Sequence, residues 1–540
     1  MDEQVVFTTN NSGCVSNVHS FEQANLRQCN VGAKNSAVLV GADHLFVAQG
    51  QKALINVYDV SGSTKRESVE QRLPLPESVN CLEVVDSIPS IHEGVSGVDG
   101  VQHQLGAFHL PYLLLASTES GKLYVWELNS GVLLNVKQMA HYQNITKIKS
   151  VLGGKYIITS GMDSRVIVWQ TVDLVSQEDP KPVAVIHDHT LPVTDFEVSC
   201  TSGAHLTTSG LKLFTTSLDS TVRCYDLNLC GNDGKMKYDS AASAVKLVAT
   251  FSLPHAVHAL ALDPADRAIY LGTADGCYQL ALYYKLNGTQ MANLTQLSNN
   301  TNKGKLYSVL ELNTAMTQDR NALFSMGQLV MEKVIDYSVE VLRVSLDGTV
   351  LLVGDSQGRV SITEIYSKQI LRTLQALTTQ DTLAGKVTNI LLNVYSTEER
   401  DRLSTVLGSG DSHNSHHNTN KIPNLQRSMY DRSKLGQLHE IWFQTGAEIP
   451  SATAAIEDAT PLSDLDAYLD HAKQQELVFQ TVDRTGSEQI RQQTPGASAS
   501  ASGSAASPEE VARLQEQVHK LTEAYKELRS INETLLRDRV

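Results

Sequence analysis

The chain has 540 residues, with 44 Lys and Arg against 59 Asp and Glu, a formal charge of −15 with His neutral, which excludes a basic nucleic-acid clamp. Its 41% hydrophobic and 19% charged residues describe a globular, soluble chain, and no run approaches the ~18 apolar residues that a membrane span needs. Length alone allows three or four domains, or one large repeat fold with appendages. The opening MDEQVVFTTNNSG lacks the basic and then apolar layout of a secretory leader, so cytosolic synthesis is expected. Seven scattered cysteines without a C-x-x-C pair read as reduced structural residues rather than a disulfide framework or zinc site.

A repeat runs through most of the chain: a short apolar strand, a tight turn with Gly, Ser or Asp, then an alternating strand that often ends in an aromatic residue. In chain order the copies are Val5 to Ser20, Leu45 to Val60, Leu113 to Leu128, Tyr156 to Gln170, Leu213 to Leu227, Ile269 to Leu282 and Val350 to Ile365. Two neighbouring spacings, Val18 to Tyr58 and Trp126 to Trp169, are 40 and 43 residues, the period of a WD-type propeller blade. Longer spacings hold insertions, at 86–106 and 287–305. The widest gap contains Ala322 to Ile335, which reads either as an outer strand or as part of an eighth blade. Flanking strands such as Val193 to Ser199 and Lys246 to Ser252 make each copy the centre of a four-stranded blade. The first copy has no inner strand before it, and Lys386 to Val394 follows the last copy alone. Pairing these two pieces would close the ring and protect both edges. The expected fold is therefore all-β, a seven-bladed WD40 β-propeller over residues 1–395.

WD blades lock turn to strand through a His, a Ser or Thr, an Asp and an aromatic residue. His189, Ser217, Asp219 and Tyr225 fill all four places in one copy. His141, Asp163 and Trp169 fill three in another, with Gly161 where the hydroxyl would sit. The same residue types build hydrolytic triads, but recurrence from blade to blade and the lack of a G-x-S-x-G elbow favour a structural network. His413, His416 and His417 suggest metal by type alone; without Cys or ordered spacing they read as a His-rich loop. No phosphate loop or dinucleotide fingerprint is present. The sequence thus argues for no enzyme, catalytic residue, metal or cofactor.

Residues 396–484 form an extension that opens on polar Asn-, Ser- and His-rich text. Its apolar pieces KIPNLQR (Lys421 to Arg427) and LHEIWFQTG (Leu438 to Gly446) lie outside any repeat; packing on the propeller and docking a partner are both open readings. A short helix is expected after Ser463, with Leu465, Leu469, Ala472 and Phe479 on one side. Residues 485–507 are a Gly-, Ser- and Ala-rich linker. Residues 508–540 then open with Ser507-Pro508-Glu509-Glu510, a helix start with capping Ser, Pro at the first position and acids in the first turn. The seam Val511, Leu514, Val518, Leu521, Tyr525, Leu528, Asn532 and Leu535 alternates steps of three and four, the spacing of a parallel two-stranded coiled coil, so a homodimer is expected.

Stretches such as QKALINVYDVSGSTKRESVEQRLPLPE, ESGKLYVWELNSG, MAHYQNITKIKS, KIPNLQR and AYKELR carry a further likeness, since several have no role in a generic blade. The chain resembles the WD-repeat subunit of the fungal Rix complex, the WD repeat-containing protein 18 family, and most closely its budding-yeast type. That resemblance implies a non-catalytic nuclear scaffold of pre-60S ribosome assembly, in nucleoplasm and nucleolus, needed for removal of the internal transcribed spacer 2. It implies as partners a helical-repeat scaffold subunit, a smaller third subunit, a midasin-type AAA ATPase and the pre-60S particle, and it carries a link to replication licensing. No membrane and no sequence-specific nucleic-acid contact is implied. A propeller with an oligomerisation helix would equally suit a ubiquitin-ligase adaptor or a chromatin reader.

Overall fold

The structure, a computed structural model, describes residues 2–395 apart from 20–22, 41–43, 61–66, 86–112, 129, 153, 200–210, 228, 230–244, 286–290, 296–303, 313–322, 325 and 377–383, together with residues 422–428. The chain divides into two compact units, Met1–Ile449 and Pro450–Val540. The second unit, and with it the helix after Ser463, the linker and the whole seam from Val511 to Leu535, lies outside the described residues. So do His413, His416, His417 and the LHEIWFQTG piece.

Alternating β-branched and aromatic residues between short polar turns favour antiparallel strands, and strand is nearly all of the regular secondary structure among the described residues. Each repeat copy is a hairpin. In four of the seven the turn ends on a residue with φ between 59° and 85°: Gly121 (79°), Ser164 (62°), Ser220 (59°) and Gly358 (85°). This left-handed position gives the hairpin the twist its strands require. Glycine takes it without steric cost, and two of the turns hold a serine there instead.

Among the described residues the strands form five four-stranded antiparallel sheets, a small two-stranded sheet and a nine-stranded sheet, the last made of two further four-stranded antiparallel units joined by one more strand. Of the seven four-stranded units, the first joins β1 (Asp2–Thr9), β2 (Gly13–Asn17) and β3 (Gln23–Leu26) to the last strand of the chain, β31 (Val387–Tyr395). The second is β4 (Ala37–Val40), β5 (His44–Ala48), β6 (Leu54–Asp59) and β7 (Gln71–Pro74); the third is β8 (Val79–Val85), β9 (Leu113–Thr118), β10 (Leu123–Glu127) and β11 (Leu133–Lys137). The fourth holds β12 (Ile145–Val151), β13 (Tyr156–Gly161), β14 (Val166–Gln170) and β15 (Ala184–Ile186), with a one-turn helix, α1 (Thr171–Ser176), after β14. The fifth is β16 (Val193–Val198), β17 (Leu211–Ser217), β18 (Thr221–Leu227) and β19 (Val245–Ser252). The sixth contains β20 (Val257–Leu262), β21 (Ala268–Thr273), β22 (Cys277–Ala281) and β26 (Gln328–Ile335). The seventh is β27 (Val339–Val344), β28 (Val350–Asp355), β29 (Arg359–Glu364) and β30 (Ile370–Gln375).

The units stand in a ring because every unit shares an apolar core with the next. Phe46, Leu73, Leu82 and Trp126 join the second unit to the third, and Val125, Ile148 and Trp169 join the third to the fourth. Ile158, Phe196 and Tyr225 join the fourth to the fifth; Phe214, Phe251, Leu271 and Leu280 join the fifth to the sixth. Tyr270, Leu342 and Leu351 continue to the seventh, Leu352, Ile362, Phe7 and Ile390 pass from the seventh to the first, and Val6, Val15, Leu45 and Tyr58 complete the circuit. Sheets packed radially in a closed circuit are a β-propeller.

The widest gap between copies now has an account. Residues 322–335 supply β26, an outer strand, and no eighth four-stranded unit occurs among the described residues. Inside the same insertion, β23 (Tyr283–Lys285) and β24 (Met291–Asn293) form a small hairpin, and β25 (Lys305–Glu311) runs parallel to both β19 and β26. β25 thus bridges the outer edges of two neighbouring units, edges that would otherwise present unpaired backbone groups.

Candidate functional site

Three arrangements of polar side chains are built on this frame. In the fourth unit His141, on the loop before β12, places Nδ1 3.0 Å from Asp163 Oδ1 and Nε2 2.8 Å from Thr159 Oγ1. Trp169 donates its indole N–H to the same hydroxyl at 3.0 Å. In the fifth unit His189 stands 3.0 Å from Asp219 Oδ2 and 2.8 Å from Thr215 Oγ1.

Two of the expected places are corrected. The hydroxyl in the chain is Thr215, four residues before the Asp, and not Ser217; Ser217 instead accepts the Asp219 N–H at 3.1 Å and donates to the Leu191 carbonyl at 2.9 Å. Residues two apart on a strand face the same side, and the imidazole fills the space nearest the turn: a Cβ on Gly161 would meet His141 Nδ1 and Asp163 Oδ1. The hydroxyl therefore sits one pleat deeper. Tyr225 also leaves the chain, because its longer ring carries the hydroxyl past Thr215 to donate to Asp188 at 3.0 Å.

Burial alone would raise the Asp219 carboxyl, but hydrogen bonds from His189 and Thr221, the His189 charge and the Thr190 N–H outweigh it and hold the group well below the usual carboxylate range. Thr215 and Thr159 are fully buried and both imidazoles nearly so, which leaves no face for a substrate. With four donors on one carboxylate, Asp219→Ala should cost about 1 to 3 kcal/mol of stability. A melting temperature equal to that of the parent would show that these bonds add nothing.

The second arrangement lines the inner strands. Glu197 on β16 receives Lys147 Nζ at 2.7 Å, Arg343 Nη1 of β27 at 2.9 Å, and Lys149. Lys147 also meets Asp195 at 2.7 Å and the Phe196 carbonyl at 2.7 Å. Burial works against both charges; the three cations nevertheless keep Glu197 well below its ordinary value, and Asp195 and Glu197 keep Lys147 above its own. Carboxylates saturated in this way tie the fourth, fifth and seventh units together and make poor general acids or bases.

Glu83 on β8 is different. Among the described residues it accepts only from Ser150, N–H at 3.2 Å and O–H at 3.3 Å, and burial pushes its carboxyl up to about 7. Because the folded state then holds the proton more tightly than the unfolded chain, Glu83 erodes stability as pH rises from about 4.5 to 7. The side chain is half-buried, so Glu83→Gln should gain about 1 kcal/mol at pH 8 and nothing at pH 4. Melting curves of the two proteins that stay parallel across that range would refute the assignment.

The third arrangement is a strap. Residues 422–428 lie between the second and third units, where Ile422 and Leu425, each 3% exposed, enter the shared core. Gln71 clamps Ile422 through both backbone groups, donating to its carbonyl at 2.5 Å and accepting its N–H at 3.1 Å. The Gln426 carbonyl accepts the Trp126 indole N–H at 2.9 Å, and its N–H donates to the Gly131 carbonyl at 2.8 Å. The KIPNLQR piece therefore packs on its own propeller. Nothing in blade periodicity signals this; its apolar pair, outside any repeat, is the only hint.

Exposed apolar side chains gather at the end of the fourth and fifth units that carries the His–Asp pairs. Tyr142 (65% exposed), Met139, Met162 and Leu191 all project from loops there. Among the described residues no group of three or more His, Cys, Asp or Glu could hold a metal ion, and no helix is long and apolar enough to cross a membrane.

No protein-family model matches the chain. Full-length relatives do. The pre-rRNA-processing protein IPI3 of Saccharomyces cerevisiae (strain YJM789) is 52% identical over 99% of this chain and 98% of its own. Proteins of the same name from Candida glabrata and Eremothecium gossypii are 46% and 42% identical over 100% and 99% of this chain, and 98% of each relative is covered. The chain belongs to the pre-rRNA-processing protein IPI3 family.

Proposed function

We propose that this member of the IPI3 family is a non-catalytic scaffold of large-subunit ribosome assembly, a seven-bladed WD propeller acting in the nucleus on pre-rRNA that still carries the internal transcribed spacer 2. Identity of 52% along nearly the whole chain to a protein named for pre-rRNA processing carries the reading. The chemistry of the frame agrees with it: the His–Asp–Thr chains are sealed and the inner carboxylates are neutralised by Lys and Arg. Such a molecule acts by holding others. In the Rix-type complex implied by the resemblance these are a helical-repeat subunit, a third subunit and a midasin-type AAA ATPase on the pre-60S particle. The link to replication licensing rests on the resemblance alone.

Expression of this chain in budding yeast depleted of its own IPI3 should restore processing of precursors that retain the spacer, and purification of the tagged chain should return pre-60S proteins. Persistent accumulation of those precursors, or recovery of cullins or histones instead, would overturn the reading. The homodimer is part of the proposal. Asn532 among the apolar residues of the seam fixes register and a two-stranded state. Asp at Leu521 and Leu528 should halve the mass seen by light scattering while the propeller stays folded; equal masses for parent and variant would remove the helix from dimerisation.

A further inference from the structure

Four apolar side chains stand exposed on neighbouring loops of the fourth and fifth units. Met139 and Tyr142 precede β12, Met162 lies between β13 and β14, and Leu191 precedes β16; each is between 43% and 65% exposed. Single exposed residues of this kind are ordinary, but a contiguous group marks a contact surface. Hydrogen bonds draw these loops together. Tyr142 N–H donates to Asp163 Oδ2 at 3.1 Å, and Met162 N–H to the Asn144 carbonyl at 2.8 Å. The Thr146 hydroxyl meets Ser160 at 2.7 Å and donates to the Val193 carbonyl at 2.9 Å, which ties the Leu191 loop to the other two.

The surface has the make-up and the stiffness of an interface core. Met, Tyr and Arg are enriched at such cores, and Tyr and Arg recur among their hot spots. Here the Arg165 guanidinium lies 4.6 Å from the centre of the Tyr142 ring, with no carboxylate in ion-pair distance among the described residues. Asp163 bonds the His141 ring and receives the N–H groups of Tyr142 and Arg165, while Asp219 receives the Thr190 N–H beside Leu191. The sealed His–Asp pairs thus fix the loops that carry the exposed side chains, which lowers the ordering cost of docking.

Reach and charge select what covers it. The strap passes beside the third unit, where the Gln426 side chain accepts the Leu133 N–H at 3.3 Å. From Leu133 the chain runs along β11 toward Met139, a distance of about 20 Å at strand rise. The stretch from Gln426 to Leu438 can span about 40 Å, so it reaches the surface with slack. It leads into LHEIWFQTG (Leu438 to Gly446), where Ile441, Trp442 and Phe443 follow Glu440, the one acid of the piece. The large apolar residues suit the exposed Met, Tyr and Leu side chains, and the carboxylate suits the guanidinium of Arg165.

We propose that residues 438–446 of the same chain dock on this surface, with the Trp442 indole among Met139, Tyr142 and Met162 and the Glu440 carboxylate on Arg165. The extension then seals its own propeller twice, by the strap between the second and third units and by this segment over the fourth and fifth. The proposal is independent of the ribosome-assembly reading, since it concerns one chain alone.

The test places the photoreactive residue p-benzoylphenylalanine at Tyr142, and in a second protein at Leu191, in the full-length chain. Each probe chain is coexpressed with a probe-free copy marked by Thr445→Ser, so that links within one chain and links between copies differ in mass. Irradiation should join both probes to the unmarked 438–446 segment of their own chain. Acrylamide quenching of Trp442, taken as the difference from the Trp442→Phe protein, reads the same contact without a probe, because the other two tryptophans, Trp126 and Trp169, are buried. Tyr142→Glu changes an exposed position, so the propeller should still melt cooperatively. The fraction of chains with Trp442 open to acrylamide should nevertheless rise about tenfold or more, the usual consequence of losing a central aromatic contact. Links to the marked copy would assign the surface to a second chain and overturn the proposal. So would the absence of any link from either probe to 438–446, or equal quenching of Trp442 in the parent and in Tyr142→Glu.

Discussion

A chain ending at Leu383 is expected to lose cooperative folding altogether, although every repeat copy remains in it. The truncation removes β31, whose register with β1 runs without a break from Asp2 opposite Tyr395 to Thr8 opposite Asn389. It also takes Val387 and Ile390 out of the core shared by the seventh and first units. The loss extends beyond apolar area. Asn389 donates to the Thr8 hydroxyl at 2.8 Å and to the Ser36 hydroxyl at 3.3 Å, and accepts the Ser36 N–H at 3.0 Å. Thr388 and Thr8 hydroxyls meet at 2.9 Å. Without β31, β1 becomes an open edge and these buried polar groups lose their partners together. Each such group costs about 1 to 3 kcal/mol, against a total stability of about 5 to 15 kcal/mol for an ordinary domain, so the ring should open and the exposed edge should aggregate. A soluble truncated protein with a single sharp thermal transition would show that closure is dispensable. The point variant Asn389→Leu asks the same question more gently, and a drop of about 2 to 4 kcal/mol is expected from it.

How much of this was legible in the sequence depended on whether a feature repeats. The hairpins at Leu113 to Leu128, Tyr156 to Gln170 and Leu213 to Leu227 could be read because turn chemistry and strand alternation recur there at similar spacing. The late strand at Lys386 to Val394 was readable as the missing partner of Val5 for the same reason: a ring of four-stranded units leaves one vacancy. The hydroxyl of the His–Asp chain was misplaced at Ser217 because linear distance from Asp219 cannot tell which pleat has room for an imidazole. β25 was not foreseen. Its residues, Lys305 to Glu311, alternate like any outer strand, and nothing local says that they pair in parallel with two different units. Parallel pairing is settled by chain segments far apart in sequence, and a local pattern carries no record of them. The inner ion cluster is equally silent, because Lys147, Glu197 and Arg343 come from three units and look like ordinary polar positions on half-exposed strands.

The strap offers the other large effect, and one that separates docking from folding. Gly131 has φ of +72°, and a Cβ there would run into the Asn424 carbonyl, so Gly131→Val obstructs the strap and also strains the left-handed turn between β10 and β11. Leu425→Asp attacks from the other side by forcing a charge into the core around Trp126 and Leu133. Burying Ile422 and Leu425 stabilises the docked form by about 1.5 to 3 kcal/mol each, partly offset by the entropy of ordering the segment. Either substitution should therefore release it almost completely. The release has a direct reporter, because the Trp126 indole loses the Gln426 carbonyl and its covering side chains and meets water. Tryptophan emission should shift to the red and protease should cut between Lys421 and Arg427, with the propeller still melting cooperatively some degrees lower. Emission unchanged in both variants would mean that the segment does not hold this groove in solution. Emission shifted together with loss of cooperative melting would mean that the strap is part of the core rather than a seal over it. The expected outcome lies between these, since the clamp from Gln71 and the two apolar anchors join only two of the seven units, and the other shared cores do not touch it.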